Sequence, residues 1–124
     1  MTAPEHFDVE GDLGRYHPTG RVSLEDGIKG VTSAIRYARA QKLGKLLVDT
    51  RALTGFEPPS IADRLILADD WASASGGVIR LAIVARPEMI HPQKFGIHAA
   101  VKRGAIADVF TSEQAALDWL AAAR

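Results

Sequence analysis

The chain has 124 residues, enough for one domain spanning residues 1–124 that buries roughly two thirds of the surface its unfolded form exposes. Its 15 Lys and Arg balance 15 Asp and Glu, which argues against the basic face of a nucleic-acid binder. The absence of cysteine excludes disulfides, thiolate metal sites and a cysteine nucleophile.

MTAPEHFDVE, at the start, lacks the basic and apolar regions of a secretory signal. No apolar run approaches the length of a membrane span, so the expectation is a soluble cytoplasmic protein. HFDVE alternates, with Phe7 and Val9 on one face, as a half-buried strand does. Gly11 and Asp12 signal a turn, and residues 13–17 return as an antiparallel partner before Pro18 and Gly20 break the chain.

Ser23 then opens a helix. Its hydroxyl can accept from an orphan amide three residues on, and Glu25 and Asp26 suit the positive end of the helix. Leu24, Ile28, Val31, Ile35 and Ala38 form one apolar stripe, and Gly44 is the expected left-handed residue after the helix. KLLVD, residues 45–49, is almost wholly apolar, as expected of a strand covered on both faces. A helix from about Ser60 to Ser75 stops at Gly76-Gly77, and residues 79–85 give a second buried strand. HPQKFGIHAAVKRG predicts a third helix and ADVF a last strand. Thr111-Ser-Glu-Gln114 reads as a capping box for a final helix.

The predicted order is β-β-α-β-α-β-α-β-α. It specifies an α/β single domain with a mixed, mostly parallel sheet, opened by an antiparallel hairpin and flanked by four helices.

Motifs for chemistry are sparse. No glycine-rich phosphate loop follows either buried strand. The four histidines lack the three- or four-residue spacing of paired helical ligands, so neither metal nor cofactor is expected. Ser60, His91 and Asp49 can be written as a hydrolytic set, but no Gly-x-Ser-x-Gly elbow supports it and no catalytic residue is assigned. Asp49 and Arg51 end one strand, and Arg86 and Glu88 follow the next. If those strands are neighbours the four form either a polar pocket or an ordinary ion-pair network.

Ser60 follows Pro58-Pro59 and begins Ser-x-x-Asp. It is either a helix N-cap or a serine at an anion-favouring helix end, where a phosphoryl group would be tolerated. In the helix after it, Ile61, Leu65, Ala68 and Ala72 form one stripe, expected to face the sheet. Leu67, Trp71 and Ala74 form a second, and Arg64 lies between the two. The second stripe either packs on a neighbouring helix or is a contact surface for a partner or a second copy.

The strings GRVSLEDGI, LLVDTRALTGF, RLAIVARPEMIHPQKFG, ADVF and SEQAALDWL, taken as an ordered set, resemble the STAS domain superfamily. Within it they are most similar to small bacterial SpoIIAA-like proteins of the STAS/SEC14 type, whose role is undefined. The resemblance spans most of the chain and implies a regulatory or protein-binding module related to anti-sigma-factor antagonists. Its partner face would comprise the second helix and the loop before it, residues 53–60. Phosphorylated STAS proteins carry Asp-Ser-Ser/Thr-Gly at that helix start. Here the place reads Glu57-Pro58-Pro59-Ser60-Ile61, which argues against phosphoregulation.

The first expectation is therefore a non-enzymatic regulatory module with a protein partner or a homodimer. Its face would be the loop from Leu53 to Ser60 with Leu67 and Trp71, and Ser60 is the candidate partner-binding or phospho-acceptor residue. The alternative is a small carrier of an apolar or acyl ligand, as the SEC14 likeness implies. Neither reading involves nucleic acid, and an enzyme comes third.

Overall fold

The computed structural model describes residues 2–122, and their order follows the predicted alternation. Strands β1 (Phe7–Glu10) and β2 (Leu13–Tyr16) form the antiparallel hairpin. Next come β3 (Gly20–Arg21), α1 (Leu24–Ala40), β4 (Lys45–Asp49), β5 (Leu53–Thr54) and α2 (Ile61–Ser75). The chain continues through β6 (Arg80–Val84), a 3-10 turn (Pro87–Met89), α3 (Phe95–Lys102), β7 (Ile106–Phe110) and α4 (Glu113–Ala121). The main sheet has the order β1-β2-β4-β6-β7, parallel from β2 onward. The pair β3–β5 was not legible in the sequence, since two residues a side carry no period.

Strand alternation divides the core in two. Leu46 and Val48 of β4, Leu81 and Ile83 of β6, and Val109 of β7 pack beneath α1, α2 and α3. Leu47, Ala82 and Val84 point the other way and are covered by Ala116 and Leu120 of α4. The central strands are therefore apolar throughout because both their faces are buried.

Helix ends follow local chemistry, with two corrections. The Ser23 hydroxyl accepts from the Asp26 amide at 3.1 Å, as expected. At the other end of α1 the left-handed residue is Lys42, φ 60°, and not Gly44. The Leu43 amide bonds to the Ala38 carbonyl, which turns Leu43 back into the core. Gly44 serves a close approach instead. Its amide donates to Asp12 Oδ1 at 2.7 Å, and a Cβ there would collide with that carboxylate. The cap of α4 is Ser112, one residue later than predicted, and its hydroxyl accepts from the Ala115 amide at 3.1 Å.

The third helix is shorter than expected. Residues 91–93 stay outside it, and Lys94, at φ 53°, is its N-cap. Pro92 has no amide to contribute to a helical ladder.

The first stripe of α2 splits, with Ala68 and Ala72 buried as expected, while the second packs on neighbouring helices, one of its two expected roles. Ile61 and Leu65 are 48% and 36% exposed, whereas Leu67 and Trp71 are each 8% exposed and belong to the main core. The expected partner or dimer face at Leu67 and Trp71 is thus interior. An indole removes far more apolar area from water than the leucine or isoleucine of the first stripe, so the helix turns its tryptophan inward between α1 and α3. The Trp71 indole N–H donates to the Ile28 carbonyl at 3.4 Å, and Gly96 of α3 faces Leu67 and the Arg64 stem.

Candidate functional site: an apolar cavity beyond the strand ends

Just past the carboxyl ends of β4, β6 and β7 the helices splay and leave a cavity of about 120 Å³, partly open to solvent. Such a position, outside the carboxyl ends of parallel strands, is where open α/β sheets hold ligands. Its floor is Thr50, Ile83, Ala85 and Val109, at or beyond the strand ends. Leu24, Ile28 and Val31 of α1 form one wall, and Leu67 and Trp71 of α2 the opposite one. Phe56 and Pro59, from the loop before α2, close one side, and Met89, Ile90 and Ile97 close another.

Its polar groups are few. The Thr50 hydroxyl donates to the Val84 carbonyl at 2.9 Å, which holds the strand ends of β4 and β6 together. His91 Nδ1 accepts from the Gln93 amide at 3.1 Å. Three cations reach the wall, and no Asp or Glu does. Arg86 pairs with Glu88 at 3.5 Å, and Lys94 with Asp108 at 3.1 Å. Arg64 has no carboxylate partner among the described residues. One of its five N–H donors reaches the Met89 carbonyl at 3.3 Å. Burial lowers the Arg64 guanidinium below its ordinary pKa, as expected when a cation loses water without gaining an anion.

The predicted polar cluster separates. β4 and β6 are neighbours, as the cluster required, but Asp49 points to the α4 side of the sheet and Arg86 lines the cavity on the other. Asp49 instead takes a two-pronged grip from Arg51, at 2.9 and 2.8 Å. Burial alone would raise the Asp49 carboxyl; the side-chain and backbone hydrogen bonds from Arg51, with its charge, outweigh that and lower it. Around it Asp8, Arg15, His17 and Glu113 form a polar hollow over Leu47, with Asp8–His17 at 2.8 Å and Arg15–Glu113 at 2.7 Å. The period-two alternation of β4 could have foretold this split, since Asp49 shares a face with Leu47.

Ser60 is the N-cap of α2. Its hydroxyl accepts from the Asp63 amide at 3.1 Å, and Asp63 Oδ2 accepts from the Ser60 amide at 3.2 Å, completing a capping box. Ser60, His91 and Asp49 each bond to other groups, and no hydrogen bond joins any two of them. Among the described residues no three of His, Asp and Glu are placed to hold a metal ion, and no helix is long and apolar enough to cross a membrane.

The cavity itself escaped sequence reasoning, because residues far apart in the chain build it. One signal was present: the sequence sets Arg64 between two apolar stripes of its helix. No family model matches the chain, and no curated protein matches it.

Proposed function

We propose that this chain is a non-enzymatic binding domain that takes a small apolar molecule into the cavity beyond β4 and β6. The observation that carries the reading is the cavity wall: Leu67, Trp71, Ile83 and Ile97 enclose space that protein atoms leave unfilled. An apolar cavity of similar size in another protein core stays dry and accepts benzene. At about 120 Å³ the space suits one ring or a short branched chain and excludes a whole lipid. The likeness to SpoIIAA-like proteins of the STAS/SEC14 type agrees with a carrier of this kind.

A second reading, a protein-binding module, draws on a different observation. Ile61, Leu65 and Ile66 stand 48%, 36% and 55% exposed on α2, directly after the 53–60 loop. They replace Leu67 and Trp71 as the apolar residues a partner or a second copy would meet there.

The experiment that separates the two uses Ala85, a floor residue that is nearly buried. Toluene or hexanol should raise the melting temperature of the wild-type protein saturably and shift the indole N–H resonance of Trp71 in NMR spectra. Ala85→Ile, which fills the floor, should keep the fold and lose both effects. No binding by wild type, or equal binding by the variant, overturns the carrier reading. Concentration-dependent self-association lost in Ile66→Ser supports the second reading instead.

A further inference from the structure

We propose that the molecule taken by this cavity is a small carboxylate, its ring or short chain among the apolar walls and its carboxylate received by Arg64. The inference rests on the carrier reading and adds the head group. Its first support is charge. The cavity wall carries Arg64, Arg86 and Lys94 and no acidic side chain, so a bound anion meets attraction with no opposing carboxylate in the wall.

Its second support is the unequal state of those three cations. Glu88 already answers Arg86, and Asp108 answers Lys94, whereas Arg64 answers only a backbone carbonyl. Of the three, only Arg64 has no carboxylate partner among the described residues and so has N–H donors free for a ligand's acceptor. A guanidinium presents its donors as a planar fork, which a carboxylate matches with two parallel hydrogen bonds.

The third support is position. Arg64 leaves the same helix as Leu67 and Trp71, so its stem runs along the apolar wall while its head withdraws partly from water. A neutral ligand filling the cavity would screen the guanidinium further and supply no acceptor. A carboxylate supplies two.

Calorimetric titration of the full chain with phenylacetate, hexanoate, phenyl phosphate, benzyl alcohol and hexanol tests this. Wild type should bind the two carboxylates at least about tenfold more tightly than the two alcohols, the usual effect of a hydrogen bond to a charged group. Arg64→Met, which keeps the apolar stem, should abolish that preference while leaving alcohol binding within about threefold. Arg64→Lys keeps the charge without the fork and should retain only part of it.

Equal affinity for alcohols and carboxylates in wild type overturns the head-group inference and leaves the carrier reading standing. No binding of any probe overturns the carrier reading itself. Tighter binding of phenyl phosphate than of phenylacetate assigns a phosphoryl head and overturns the carboxylate. A preference that survives in Arg64→Met transfers the role to Arg86 or Lys94. Should Arg64→Met fail to melt as a folded protein, the wild-type contrast and its reduction in Arg64→Lys decide the matter.

Discussion

Ser60 shows what a single residue discloses. Serine followed three residues later by aspartate, before an apolar run, is a local pattern with a local cause, and the structure contains both hydrogen bonds it promises. Ser60→Ala should destabilise the domain by about 1 kcal/mol, because the Asp63 amide loses its acceptor. Ser60→Asp should melt within about 0.5 kcal/mol of wild type, since aspartate caps equally well and its charge suits the helix end. Urea melts of the three proteins check both, and an unchanged Ser60→Ala would mean the cap contributes nothing. The neighbouring misreading at α4, Thr111 for Ser112, has a simple origin. Two hydroxyl residues in sequence offer two caps, and the packing of Ala116 and Leu120 beneath the sheet selects the register.

At the scale of an element, α2 was legible as a helix and illegible in orientation. Apolar residues surround most of its circumference, so periodicity offers two stripes and no means of ranking them. What ranks them is tertiary: α2 lies between α1 and α3, and the stripe with the indole buries more area and finds the Ile28 carbonyl for its N–H. Trp71→Ala should therefore cost about 3–5 kcal/mol, as large aromatic truncations in cores do. Ile66→Ser, on the exposed side, should stay within about 0.5 kcal/mol of wild type. Chemical denaturation of the two variants is the check. A small loss at Trp71 would return the indole to the surface role that the stripe first suggested. α1 shows the contrasting case: a single stripe over many turns left one face to bury, and that face is the one observed.

At the scale of the whole molecule, alternating strands and helices were sufficient for the sheet, its parallel centre and its antiparallel opening, because each rests on repeated local signals. The cavity was not legible, because it exists only where α1, the ends of β4, β6 and β7, the 53–60 loop, α2 and α3 converge. That convergence makes its occupancy a global matter. A ligand that binds only the folded chain adds RT ln(1 + [L]/Kd) to the unfolding free energy, about 2.7 kcal/mol at a hundred times Kd. Amides that exchange only by global unfolding should then slow about a hundredfold together. They include Leu47 and Val84, whose side chains face α4 and line no part of the cavity. Amides near the end of α4, at Ala121 and Ala122, exchange by fraying and should keep their rates. Hydrogen exchange with and without saturating phenylacetate measures this residue by residue. Slowing confined to the ends of helices, with Leu47 and Val84 unmoved, would place the ligand on a surface outside the folding core, and the cavity would not be its site.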